Sequence, residues 1–349
     1  MIYLKIVKKI IGLFGLFSVY SYLALITFGF MVFLYFIGFA FLSVLNYSEN
    51  IFFNIIIGAA LFILIYSLYL KIKVRPLNKI SMDKSEITWI NVVNIILTLS
   101  VSLVIVPYYF NSNEVNWPIV IFSLYYFAIT SLPISTGYHR YFAHHSFKAS
   151  PLVEWYLLLF SCANVYGPAL EWAGEHMEHH KHEDTDKDPH AVTKGFWNAH
   201  CGWIFYRKIT LSEKLKSNPR VMWQYRNIAL LTLIMAFGVP TLIGYLLGSW
   251  VQGLLVAGFF RLCYFQHLGF FINSLGHYQG ERPYEGSSAV NNPILALIAN
   301  GEGYHNNHHA SPSSYTTKTK SSELDPSGWI VWWWQFMGLA EIKSTGQRK

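Results

Sequence analysis

The chain has 349 residues, of which 53% are hydrophobic and only 13% charged, and its formal net charge is +7. A soluble globular chain carries nearer a quarter charged residues, so the composition excludes an ordinary soluble domain and points to the lipid bilayer. The basic residues sit in short loops rather than one stripe, which excludes nucleic-acid binding, and the isolated Cys162, Cys201 and Cys263 exclude a disulfide framework or a thiolate zinc site.

A helix crossing the roughly 30 Å hydrocarbon core needs about 20 apolar residues. In chain order, segments of that kind run over residues 12–46, 51–70, 93–110, 117–137, 226–247 and 251–273. Lys5, Lys8 and Lys9 precede the first, but its uncharged run is far longer than a signal-peptide core, so no cleavable signal is expected. It reads as one tilted or kinked span, because the basic loop 71–84 then falls on the same side as the basic N-terminus. Lys and Arg mark the cytoplasmic face. Asn111–Asn116 and Gly248–Gln252 contain neither and read as outside, while residues 139–225 and 274–349 read as inside. The expected fold class is all-α integral membrane, a transmembrane bundle of six spans with both termini cytoplasmic and a cytoplasmic helical cap. An N-terminal hairpin and basic linker over residues 1–90 precede a main domain over 91–349. A bacterial inner membrane is the expected location, with the endoplasmic reticulum as the alternative.

Residues 152–170 are also apolar and long enough to span, but crossing would put the flanking histidines on opposite faces. They are expected to form an interfacial or re-entrant helix buried against protein. The stretch Trp329–Met337 is too short to span, and its tryptophans suit the headgroup zone.

All 14 histidines lie at or after position 139. Three clusters stand out: His139-Arg-Tyr-Phe-Ala-His144, His176-Met-Glu-His179-His180 and His305-Asn-Asn-His308-His309. Residues at i, i+3 and i+4 share a helical face, so each of the last two presents three imidazoles to one side. The His139/His144 spacing is looser, about 140° apart on an ideal helix, so these two serve different metals or the helix is distorted there. Neutral imidazole suits Fe, Zn, Cu and Ni, and eight crowded imidazoles without a metal would leave many donors and acceptors unsatisfied. His145, His182, His190, His200 and His267 read as supporting or ordinary polar residues. The His-Glu-x-x-His pattern of zinc proteases is absent, and the Glu-x-x-His pattern of carboxylate-rich di-iron bundles occurs once, at Glu302 and His305. No dinucleotide fingerprint or Gly-rich phosphate loop is present.

With their flanks, these clusters resemble the membrane fatty acid desaturases, specifically the acyl-CoA (stearoyl-CoA, Δ9) branch. The likeness runs through Gly137–Lys148, Glu171–Lys181, Asp186–His190, Gly195–Trp203, Asn273–His277 and Gly301–His309, and covers roughly residues 90–340. The resemblance implies two iron ions, Fe2+ in the reduced state, held by His139, His144, His176, His179, His180, His277, His305, His308 and His309, with Asn273 holding a metal-bound water. It implies insertion of a cis double bond, at Δ9, into a saturated acyl-CoA or acyl-lipid, using O2 and two external electrons. The segment running into His139 is expected to line the acyl tunnel, with Phe127 and Trp172 as candidate substrate contacts. No bound flavin or haem is expected, so a separate ferredoxin or cytochrome b5 type donor is implied, docked on the basic cytoplasmic loops. The rival readings are a membrane di-iron hydroxylase of a lipid or alkane, and a non-enzymatic metal-binding membrane protein. The latter would place its ligands near the bilayer midplane.

Overall fold

The computed structural model describes residues 87–344. Residues 87–102 and 113–344 belong to one compact unit, and Leu103–Ser112 to a second whose other members lie outside the described residues. The expected hairpin within 1–90, with its spans 12–46 and 51–70, also lies outside the described residues.

Among the described residues, four helices are long and apolar enough to cross a membrane: α1 (Trp89–Asn111), α2 (Trp117–Ala143), α6 (Pro219–Leu246) and α7 (Trp250–His277). Each of the last three starts at a polar cap. Asn116 accepts from the Ile119 amide at 3.3 Å, Asn218 from the Arg220 amide at 2.9 Å, and Ser249 from the Gln252 amide at 3.3 Å. Such caps satisfy amides that a helix start leaves unpaired. The two short connections meet at one end of the bundle, where the Asn116 side chain donates to Leu247 O at 2.9 Å and Gln252 accepts from the Asn116 amide at 2.9 Å. Ile90, Ile121, Leu124, Leu242 and Leu246 are each more than half exposed. Apolar patches of that extent suit lipid rather than water.

At the opposite end, shorter elements close over the bundle: α3 (Pro151–Ser161), α4 (Ala169–His182), α5 (Phe196–His200), α8 (Pro293–Ile298), α9 (His305–Ala310) and α10 (Pro326–Phe336). The apolar stretch 152–170 does not form a spanning helix. Pro151 starts α3 behind the Ser150 cap, and the chain leaves the helix at Val165, which has a left-handed φ of 57°. Glu154 ties α3 to the start of α6, accepting from Arg220 at 2.7 Å and from the Asn218 side chain at 2.5 Å. Buried Gln224 of α6 then fixes the start of α4. It accepts from the Ala169 amide at 2.9 Å and donates to the Tyr138 hydroxyl at 2.9 Å and to Leu158 O at 2.6 Å. The core under the cap is built from Ile134, Tyr138, Phe142, Leu157, Leu158, Leu170, Val221 and Phe265. A two-stranded ribbon adds to the all-helical plan: β1 (Phe147–Ala149) pairs antiparallel with β2 (Ala340–Ile342), tying the C-terminal segment to the residues after His144.

One close approach sets the spacing of α7 against the loop before α4. A Cβ built on Gly269 would overlap the Tyr166 hydroxyl, which bonds Phe265 O at 3.3 Å. Overpacking of that kind costs about 1–3 kcal/mol. Gly269→Ala should therefore lower the thermal midpoint of the detergent-solubilised protein by several degrees, and Tyr166→Phe in the same chain should restore part of the loss. A midpoint equal to wild type in Gly269→Ala would show that the loop yields freely.

Candidate metal centre

The histidines converge because four chain segments end at the same place. α2 delivers His139, and its last turns, Pro133–Ala143, are π-wound. In that winding the His144 amide bonds His139 O, five residues back, at 3.1 Å. The wider π winding turns less per residue, which brings residues i and i+5 toward one face. The helix is distorted between these two, and both fall in one cluster of imidazoles. α4 carries Trp172, His176, His179 and His180, α9 carries His305, His308 and His309, and the end of α7 delivers His277. α9 follows a tight turn at Asn300 (φ 55°) and Gly301 (φ 95°), the latter a backbone state suited to glycine.

The nine imidazoles fall into two adjoining groups. His139, His144, His176, His180 and His308 form one; His179, His277, His305 and His309 form the other. Within each group the potential ligand nitrogens lie within 4.8 Å of one another. In the first group the Nε2 atoms form a continuous line. It runs His144 to His176 at 2.8 Å, His176 to His180 at 3.1 Å, His180 to His308 at 2.9 Å and His308 to His139 at 2.9 Å. Each nitrogen offers either one proton or one lone pair, so hydrogen bonding can satisfy at most two of these four contacts. A cation among the five lone pairs satisfies all of them. In the second group, His277 Nε2 is buried with no hydrogen-bond partner among the described residues. Both groups therefore fit metal ions.

The outward-facing nitrogens set the ring orientations. His139 Nδ1 lies 2.7 Å from Glu302 Oε2, His179 Nδ1 2.9 Å from Asp188 Oδ1 and His309 Nδ1 2.8 Å from Glu183 Oε2. His277 Nδ1 pairs with Ser288 Oγ at 2.8 Å. A proton held on Nδ1 leaves the Nε2 lone pair facing inward, and a carboxylate partner makes that lone pair more basic. Outside the spans, His144, His176, His179, His305, His308 and His309 are held well below the ordinary histidine range, first by burial and then by neighbouring imidazoles. Burial pushes His180 down to about 2. The rings are therefore neutral and available as ligands at physiological pH. Burial alone would raise the Glu302 carboxyl, but His139, Arg140 and the Ser135 hydroxyl outweigh it and hold it at about 2.

The remaining sequence-derived candidates are placed as follows. Trp172 stacks on His176, with centroids 4.9 Å apart and planes 17° from parallel, so it forms a wall of the first group. Phe127 is half-buried, its ring 5.6 Å from Tyr264 and 5.9 Å from Phe265. Asn273 lies in the last turn of α7, four residues before His277, and is half-buried. His190 packs its ring 4.2 Å from His179. His200 and His267 form a separate pair at 3.1 Å, and His200 also meets Ser274 Oγ at 3.1 Å. His182 reaches Glu178 at 3.5 Å, and His145 is half-buried with a φ of 52°. The orienting groups Glu183, Asp188, Glu302 and Ser288 were not singled out by sequence reasoning. Two signals were available: Asp188 lies in the family-like stretch Asp186–His190, and Glu302 stands at Glu-x-x-His spacing from His305, though it serves His139.

The sequence model of the family described as fatty acid desaturase matches residues 115–320, which hold all nine converging histidines. The chain belongs to the fatty acid desaturase family. It is an integral membrane member, as the spanning helices require. It is 33% identical to acyl-CoA desaturase 1 of Saccharomyces cerevisiae over 274 residues, 75% of this chain and 53% of that protein. It is 32% identical to the sn-1 stearoyl-lipid 9-desaturase of Anabaena variabilis over 276 residues, 76% of this chain and 97% of that protein. With stearoyl-CoA desaturase 5 of Homo sapiens it shares 30% identity over 275 residues, 74% of this chain and 81% of that protein. The chain spans about half the length of the two yeast relatives it matches, 53% and 49%.

Proposed function

We propose that this chain is a fatty acyl desaturase that inserts a cis double bond, at Δ9, into a saturated long-chain acyl substrate. The observation that carries the reading is the pair of adjoining groups of five and four imidazoles at one end of the spanning bundle. The nine histidines hold two irons, with Asn273 completing the smaller group through a water. Names of the relatives support two head groups, coenzyme A and a lipid. The desaturase domain runs over 91–349, the chain crosses the membrane six times, and the site faces the cytoplasm.

The overall change removes two hydrogens from adjacent methylenes, and O2 takes these with two electrons and two protons to give two waters. Bound and reduced, the irons would activate O2 and so supply an oxidising power toward an unactivated C–H bond that no side chain possesses. The chain's own residues orient and enclose. Glu302, Asp188, Glu183 and Ser288 fix ring tautomers, the Trp172 indole stacked on His176 walls the first group, and the buried cap excludes water. The site at the mouth of the spans suits an amphiphile whose tail enters the helical core. Exposed Lys181, Lys187, Lys208, Lys214 and Lys216 offer a basic surface to an acidic ferredoxin or cytochrome b5 type donor. Arg207, by contrast, is committed to Glu175 at 2.8 Å and Glu171 at 3.1 Å.

Expression in a host lacking unsaturated fatty acids, followed by mass analysis of its lipids, tests the reading. A product lighter by two hydrogens is expected; one heavier by an oxygen would instead support the hydroxylase. Phe127 lies 12 residues before His139, less than about 18 Å along a helix whose last turns are π-wound, and in this proposal it closes the far end of the acyl path. Phe127→Ala should shift the product distribution toward longer chains. An unchanged distribution would remove Phe127 from the path.

A further inference from the structure

We propose that Asp325, which lies beyond the region matched by the family model, is a positioning residue for the first histidine group. It acts through Arg140 and Glu302 on His139. The inference rests on the metal-centre reading above and concerns a residue outside every histidine motif.

Asp325 is fully buried, and every contact of its carboxylate has a direction. Oδ1 and Oδ2 each accept from the Arg140 guanidinium at 3.0 Å, a two-pronged pairing. Oδ2 also accepts from the Thr316 hydroxyl at 2.7 Å and the Thr317 amide at 2.9 Å, and Oδ1 from the Gly328 amide at 2.9 Å. Arg140, 2% exposed, turns its other edge to Tyr315 O at 2.8 Å and to Glu302 Oε1 at 3.1 Å. Glu302 places its second oxygen 2.7 Å from His139 Nδ1. Asp325, Arg140, Glu302 and His139 thus form one buried chain of charge-assisted contacts. The turn leading into α9 is shaped around it, since a Cβ on Gly301 would overlap Asp325 Oδ1.

The arithmetic of charge gives the chain its purpose. Two carboxylates face one guanidinium, which leaves one net negative charge in a dry site. A cation on the inner nitrogen of His139 offsets it, so the unit favours the metal-bound state. With Asp325 neutral, the Arg140 fork is free to take both Glu302 oxygens and draw that carboxylate off His139. Asp325 also caps α10, whose Trp329, Trp332, Trp333 and Phe336 are exposed. The aromatic helix and the ligand ring are therefore held by one carboxylate.

The test uses the full chain, purified in detergent and loaded anaerobically with Fe(II). Iron affinity is read by chelator competition, the environments of the two irons by Mössbauer spectra, and folding by the thermal midpoint of the metal-free protein. In Asp325→Asn, whose amide oxygen can still cap α10, one of the two irons should weaken at least ten-fold while the other is retained. Asp325→Asn combined with Glu302→Gln should be no weaker in that iron than Glu302→Gln alone. Two irons held as in wild type with an unchanged spectrum, or losses that add in the double variant, overturn the proposal and leave the metal centre standing. A wild-type chain that takes up no iron overturns both. If Asp325→Asn fails to fold, Asp325→Glu keeps the charge and shifts it by one methylene. It should hold two irons with one altered spectrum, and an unaltered spectrum there overturns the proposal.

Discussion

His179→Ala should abolish the new double bond, leaving product below roughly 1% of wild type in the lipid assay. A change to a ring's orienting partner alone costs about 10–100-fold, and here the ring itself is lost. His179 is 1% exposed and stands where the two groups adjoin. Its ring lies 5.6 Å from His180 of the first group and 5.3 Å and 5.1 Å from His277 and His309 of the second. Truncation leaves the second group with three imidazoles, opens a cavity in a packed cap, and leaves the Asp188 carboxylate, which is 1% exposed, with only the His190 and Asp184 amides as hydrogen-bond partners among the described residues. Iron content should fall along with product. A His179→Ala chain that still makes appreciable unsaturated product would remove this residue from the ligand set and with it the four-imidazole group.

Glu302→Gln should be nearly as damaging, for a different reason. The glutamine amide has one oxygen where the carboxylate has two, and both Glu302 oxygens are in use, one toward His139 and one toward Arg140. Whichever way the amide turns, its NH2 faces a donor. Leaving a buried donor to face that NH2 costs about 3 kcal/mol, although Arg140 keeps its charge paired with Asp325. For a chain of this size the thermal midpoint should fall by on the order of 10 °C. Metal affinity at the first group should fall about 10–100-fold, since His139 loses the partner that fixes its tautomer. An iron content and midpoint equal to wild type would mean that the Glu302–His139 contact does not support the site.

Much of the architecture is legible along the chain because it rests on local patterning. A helix in lipid must satisfy its own backbone, so each described span shows as a predominantly apolar run whatever its neighbours are, even where α7 carries the buried Arg261 and Gln266. The observed α1, α2 and α7 contain the expected 93–110, 117–137 and 251–273, and α6 begins seven residues before the expected 226–247 and ends one residue short of it. The two His-x-x-His-His motifs are equally local, since i, i+3 and i+4 meet on any helix. His277 is different: alone at a helix end, it was found through resemblance to a family.

What the sequence by itself determined is therefore the four spanning helices among the described residues, the two imidazole faces and the family. Tertiary structure alone decided how nine rings divide into five and four, and which acidic residue serves which ring. Glu302 reaches His139 across more than 160 positions, and Asp325 reaches Arg140 across 185. The π-winding that turns His144 toward the site depends on a backbone shift that leaves no periodic mark. Local patterns record what a helix needs for itself, whereas these pairings depend on which helix ends the packing of the cap brings together.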